Sequence, residues 1–274
     1  MSILLSAYYP EGIVYVADKN ITATINTTSG IKKYVEPTGT KVLSWPNNRA
    51  VIGFVGLANL AGLTLEEYLR IFIASTRDFT DIDQLAHQLR DQIQIDFSKD
   101  FAAQEVNEKQ LIFHLGGFTK KENVCVPVLY HIWNYKGIVD PQTGKYPPGE
   151  RIFQVNEDIE TKFKDWPHPE DYPLRVRERL QNMVDQDRYL WFNNGYNLGA
   201  FNLFKDVVWQ ALCYLQKTPF ALNISGINAR VAFCRMAVEL FGSYFTYHSY
   251  PEDRVVGGGS EAVFIPWDSV KNSA

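Results

Sequence analysis

The chain has 274 residues, of which 46% are hydrophobic and 21% charged, so it is long and apolar enough to bury a large layered core and is not a disordered polymer. Its formal net charge of −4 gives no electrostatic reason to bind nucleic acid or an anionic membrane surface. The three cysteines (Cys125, Cys213 and Cys234) are unpaired in number and unspaced, which excludes a disulfide framework or zinc site as an expectation and suits a cytoplasmic location.

The first twenty residues organise the reading. Two β-prone runs, Ser2 to Tyr9 and Ile13 to Ala17, flank Pro10-Glu11-Gly12, where proline presets φ and glycine tolerates a positive one. Folding the hairpin about Pro10 and Glu11 lays Ser2 and Ile3 beside Asp18 and Lys19, about 5 Å across the ladder. A carboxylate thus reaches the start of the chain, where a hydroxyl follows Met1. Removal of Met1 gives Ser2 a hydroxyl and a free α-amine on one residue, and such an amine can act as general base for its own hydroxyl.

Asn20 to Gly39, rich in Thr, Asn and Gly, reads as strand fragments with loops. Lys41 to Trp45 is a short strand, Pro46 to Asn48 a turn, and Arg49 to Gly56 a strand apolar enough to be buried on both faces. Leu57 to Ser75 is expected to be a helix with Leu60, Leu63, Tyr68, Ile71 and Phe72 on one face. Thr80 to about Lys99 is a second, with Ile82, Leu85, Leu89, Ile93 and Phe97 near a 3.6 period. Strands follow at Gln110 to Phe118 and Val124 to Trp133.

Tyr135 to Pro173 is rich in proline, aromatic and charged residues and reads as a surface excursion with one strand, Arg151 to Val155. Helices are expected at Leu174 to Val184, Leu198 to Leu215 and Ala229 to Phe241. Strands are expected at Tyr189 to Phe192, Tyr244 to Tyr247 and Ala262 to Ile265. No run reaches membrane-spanning length, and the five histidines show no metal spacing, so neither a metal nor another cofactor is expected. The order of elements suits an α+β fold, a four-layer αββα sandwich in a single domain over residues 1–274, with an insertion at about 135–173.

The residues Ser2-Ile-Leu-Leu-Ser-Ala7, the strand Gly12 to Asp18, and Asn20-Ile-Thr22 resemble the opening of proteasome β-type subunits and of the related bacterial peptidase. Both belong to the N-terminal nucleophile hydrolases. In that family a nucleophile begins the chain, a glycine-led strand leads to an aspartate, and a threonine follows four residues later. Asp18 and Thr22 keep this spacing. Lys41-Val42 with Gly53-Phe-Val-Gly56 is similar to the family's lysine strand and glycine strand, and Ala58 to Leu69 to its next helix. Gly116-Gly117 with Pro127 to Tyr130, and Asp253 with Val256-Gly-Gly258, are weaker echoes.

The resemblance implies a peptidase that cleaves peptide bonds through an acyl-enzyme on Ser2, assembled as a ring-shaped homo-oligomer around a polypeptide substrate. An ATPase partner is compatible with it. Asp18 and Lys41 would be catalytic, the backbone N–H of Val55 the oxyanion donor, Ile21, Thr22 and Gly53 the substrate contacts, and Asp253 and Asn194 supports. The alternatives are an inactive proteasome-like assembly or binding subunit, and an amidase of the same fold acting on small molecules. The chain departs from the family in three ways. Serine stands where threonine is usual, Lys32 and Lys33 compete with Lys41, and Asn193 or Asn194 and Val256 occupy the helper-serine positions.

Overall fold

A computed structural model of the chain describes residues 2–9, 11–27, 30–36, 38–101, 110–121, 124–134, 153–157, 190–195, 206, 207, 210, 226–248 and 258–267. It is a mixed α and β structure built on antiparallel sheets, consistent with the α+β expectation. The chain divides into two compact units. One comprises Met1–Val42 with Arg175–Asp268, the other Leu43–Leu174 with Ser269–Ala274.

In the first unit, strands β1 (Ile3–Tyr9) and β2 (Gly12–Asp18) form the hairpin that the sequence predicts. Tyr9 opposes Gly12 and Leu4 opposes Ala17, so the two-residue connection falls at Pro10 and Glu11 and the register carries Ile3 to Asp18. Strands β12 (Leu190–Gly195) and β13 (Ser260–Pro266) flank it, giving the order β12-β1-β2-β13. Every residue of β1 and β2 is buried. That explains why these runs, apart from Ser6 and Asp18, are apolar instead of alternating.

One face of this sheet packs on helix α3 (Ile227–His248). Ile3, Leu5, Ala7 and Tyr9 of β1 and Val14 and Val16 of β2 meet Phe233, Cys234, Val238 and Phe241. Polar contacts fasten the same seam. The Tyr9 hydroxyl lies 3.3 Å from Cys234 Sγ, and Arg230, ion-paired with Glu11, stacks over the Tyr9 ring at 4.9 Å. Burial pushes the Cys234 thiol up to about 12, so it packs as an inert apolar group. The helix absorbs Tyr244 to Tyr247, which the β-prone composition assigns to a strand. The helical run continues unbroken to His248, so local propensity is overridden.

Residues Asn20 to Gly39 resolve into a hairpin of β3 (Ile21–Thr27) and β4 (Gly30–Glu36), with Thr22 opposite Val35. Apart from Val42, the second unit holds the sheet β11-β10-β9-β6-β5. Its strands are β5 (Val42–Ser44), β6 (Ala50–Gly56), β9 (Leu111–Lys121), β10 (Val124–Trp133) and β11 (Gln154–Glu157). Two helices, α1 (Leu65–Ser75) and α2 (Ile82–Phe101), supply apolar residues to its core. Leu85, Leu89, Ile93 and Phe97 of α2 are buried, as the periodicity predicts.

Helix α1 begins eight residues later than expected. Asn59–Leu60 (β7) and Leu63–Thr64 (β8) pair as a tiny hairpin whose turn holds Ala61 and Gly62 at positive φ. The Thr64 side chain then caps the helix in a reciprocal box with Glu67. Ile71, placed on the buried face by the pattern, is 59% exposed, and Leu69 and Ile73 take its place inside.

The expected helices at 174–184 and 198–215 lie outside the described residues, wholly or for the most part. So does most of the 135–173 excursion, apart from β11, which stands at Gln154–Glu157 where Arg151 to Val155 was expected. Among the described residues no helix is long and apolar enough to cross a membrane.

Candidate active site at the start of the chain

Three backbone segments of the first unit converge on the chain's beginning. The Lys19 N–H donates to Gly259 O at 3.3 Å, and the Gly39 N–H donates to Lys19 O at 3.0 Å. The end of β2 is thereby bound on one side to the approach to β13 and on the other to the segment leading to Lys41. Gly39 suits this crossing. A Cβ there would sit 2.2 Å from the Ile21 side chain and 3.1 Å from Lys19 O, so a larger residue would have to displace Ile21.

This frame places a buried ion pair against the first residues. Asp18 is fully buried and Lys41 is 2% exposed, and Lys41 Nζ lies 3.0 Å from Asp18 Oδ1. The same carboxylate oxygen accepts the Ile3 N–H at 2.8 Å. The ammonium and the amide that follows Ser2 therefore meet on one atom and are no more than about 6 Å apart. Lys41 also donates to the Asn20 carbonyl. Ser2 is buried at 6% exposure.

The electrostatics are those of a charge held against its own desolvation. Burial pushes the Lys41 ammonium below the ordinary lysine range, and the Asp18 carboxylate, then Glu261, pull it back. Glu261 was not singled out in the sequence. It lies in β13 opposite Ala17, and its Oε1 accepts the N–H of Lys41 and that of Val42, the latter at 2.8 Å. Burial raises its pKa, against the two amides and the Lys19 and Lys41 charges. Beside it Ser260 opposes Asp18, with its hydroxyl 2.5 Å from Glu239 and 3.1 Å from Arg235 Nε. Both residues follow a glycine triplet in an apolar strand, and a Ser-Glu pair at a strand's first two positions was the available signal.

Of the expected residues, the structure brings Asp18 and Lys41 together, beside the Ile3 amide that follows Ser2. Lys41 reaches Asp18, while Lys33 and Lys32 lie in β4 opposite Thr24 and Ile25. Ile21 and Thr22 begin β3, next to the Asn20 carbonyl that Lys41 binds. Asn194 pairs with Leu4 across β1 and β12. Asp253 and Val256 lie outside the described residues.

Gly53 and Val55 are in β6, in the second unit, opposite His114 and Ile112. Leu57 N–H donates to Gln110 O at 3.1 Å, and hydrogen-bonded pairs alternate along an antiparallel ladder, so the Val55 N–H points at Ile112. The Gly56 N–H turns the other way. Gly56 adopts φ 121, and a Cβ on it would lie 2.0 Å from Gln110 O, so this strand end admits only glycine.

No family model and no curated protein matches the chain. Among solved structures it is similar to an Anbu (Gly-1) mutant from Hyphomicrobium sp. strain MC1, at 13% identity and a TM-score of 0.45, covering 97% of this chain and 82% of that one. It is also similar to Anbu, described as an ancestral beta-subunit, from Yersinia bercovieri. There the identity is 12% and the TM-score 0.44, covering 96% of this chain and 81% of that one.

Proposed function

We propose that the protein is an N-terminal nucleophile hydrolase of proteasome type that cleaves peptide bonds with Ser2 as nucleophile once Met1 is removed. The observation that carries this reading is the convergence of the Lys41 ammonium and the Ile3 amide on Asp18 Oδ1. It supports a cation close to the residue whose hydroxyl and amine would react.

The Ser2 hydroxyl proton passes to the α-amine, directly or through one water, as Oγ bonds to the substrate carbonyl carbon. An α-amine has an ordinary pKa of about 7.7–8.0, so part of it is free base at neutral pH. A neighbouring ammonium lowers that value further and stabilises the incipient alkoxide. Lys41 has three N–H donors. Asp18 and Asn20 engage two of them, which leaves one for the serine oxygen.

The tetrahedral intermediate collapses by breaking the C–N bond, and the α-ammonium returns its proton to the departing amine. Water then attacks the ester, giving its proton to the α-amine, and as the C–Oγ bond breaks the α-ammonium returns that proton to Oγ, releasing the acid and free Ser2. The oxyanion donor is a backbone N–H at the end of β6. Val55 is the residue expected from the family pattern to supply it. Ile21 and Thr22 would bind the substrate as an added strand, with Gly53 giving its backbone room, while Asp253 and Asn194 support the site.

The proposal includes a four-layer αββα sandwich in a single domain with its insertion at about 135–173. It also includes a cytoplasmic ring of identical subunits around a polypeptide or peptide substrate, with an ATPase as a compatible partner. The test is Ser2→Ala with small peptide amides as substrates. Turnover should disappear, and undiminished turnover would rule out this nucleophile.

A further inference from the structure

We infer that Glu261 is the positioning residue for Lys41, acting as a two-fold acceptor that fixes the lysine's backbone so that its side chain ends on Asp18. The inference rests on the reading of Lys41 as part of the reactive site and adds a component that neither the family pattern nor the chain's opening residues contain.

Lys41 reaches the site from a segment with no ladder of its own. β4 ends at Glu36 and β5 starts at Val42, so Lys41 lies between strands. Upstream, the Gly39 N–H to Lys19 O bond fixes the path two residues before it. Downstream, the consecutive N–H groups of Lys41 and Val42 both end on Glu261 Oε1. Two adjacent amides aimed at one oxygen cannot rotate independently, so the peptide plane and the exit direction of the Lys41 side chain are set together. Hydrogen bonds to a charged acceptor are stronger than those between neutral groups.

Glu261 is itself held by register. It opposes Ala17 in the β13–β2 ladder, one residue from the Ser260 and Asp18 pair. β2 therefore carries the carboxylate that receives the ammonium, and β13 on its flank carries the carboxylate that receives the lysine backbone. One strand pairing sets both ends of the lysine. This also accounts for a carboxylate kept partly buried despite the desolvation that raises its pKa.

The function tested for Glu261 is that of an acceptor at a given reach, apart from the charge that also supports the Lys41 ammonium. Glu261→Gln keeps an oxygen at that reach, whereas Glu261→Asp keeps the charge and withdraws it by about 1.5 Å, beyond hydrogen-bonding distance of the two amides.

The experiment is pulse acetylation of the full-length protein with acetic anhydride, reading Lys41 by mass spectrometry, alongside kcat and KM for peptide-amide hydrolysis. Lys41 in Glu261→Asp should be acetylated about tenfold faster than in the unaltered protein, with kcat about tenfold lower and KM unchanged. Glu261→Gln should match the unaltered protein within about threefold in both. If the aspartate variant does not fold, Glu261→Met, which keeps the length and removes both oxygens, replaces it with the same expected result. Unaltered labelling in the aspartate or methionine variant overturns the inference, as does a glutamine variant labelled as fast as either. Acetylation reports the placement of Lys41 whether or not peptides are hydrolysed. A protein without peptidase activity would therefore contradict the proposed function and leave this result readable.

Discussion

Removing the ammonium from the buried pair tests whether Asp18 and Lys41 depend on one another. In Lys41→Met the side chain keeps most of its length, but the fully buried Asp18 carboxylate loses a cation 3.0 Å away and keeps the Ile3 N–H. Breaking a buried pair in this way costs about 3–5 kcal/mol, which is a large share of a domain's total stability. Urea unfolding followed by circular dichroism measures it. The double variant Asp18→Asn/Lys41→Met carries no bare charge and should recover about 2 kcal/mol or more of the loss.

The same pair predicts a pH effect with a definite sign. Burial holds the Lys41 pKa below its unfolded value, so between those two values the unfolded chain binds more protons than the folded one. Lys41 therefore makes stability rise with pH in that window, and Lys41→Met should lack the rise. A single variant that costs less than about 1 kcal/mol would refute the reasoning, as would a double variant no better than the single.

Two further results follow. His114 and His131 face each other across β9 and β10 with ring centroids 5.2 Å apart, and burial holds His131 at about 4 and His114 well below its ordinary value. The unfolded chain takes up these protons near pH 6.5 while the folded one resists. The stability is thus complete above 6.5 and falls towards pH 4, by about 3 kcal/mol for His131 alone. Urea midpoints at pH 7 and 4.5 should converge in His114→Gln/His131→Gln, and an unchanged pH slope would contradict this. Gly56→Ala forces a Cβ to within 2.0 Å of Gln110 O at φ 121 and should destabilise by about 2 kcal/mol or more. A melting temperature equal to that of the unaltered protein would count against the strand end as described.

The opening hairpin was legible because its turn chemistry and two apolar runs agree, and the register that follows from Pro10 and Glu11 is the one observed. Helix α2 was legible for a similar reason, with a long face of uniform period. Helix α1 was not, because Leu60 and Leu63 fit a helical face while actually closing a two-residue hairpin. Its true start is marked by Thr64 and Glu67, a capping box lying inside the expected helix.

The strand expected at Tyr244 failed because aromatic and threonine side chains favour strands only where a sheet receives them, and here a helix continues. In the site, Asp18 could be carried to Ser2 by pairing alone. Lys41 needed the family pattern, since nothing local separates it from Lys32 and Lys33. Glu261 remained hidden because its partners are backbone amides some 220 residues away in sequence, a relation that no local pattern encodes.

The central claim is that the working chain begins at a serine whose hydroxyl and α-amine act together. An epoxyketone peptide, which must bond to both groups to form its ring adduct, followed by intact mass and N-terminal sequencing, reads it directly. The account predicts one adduct per chain on a protein starting at Ser2, and none on Ser2→Ala. A chain that retains Met1, or one that begins at Ser2 and takes up no adduct, would contradict it.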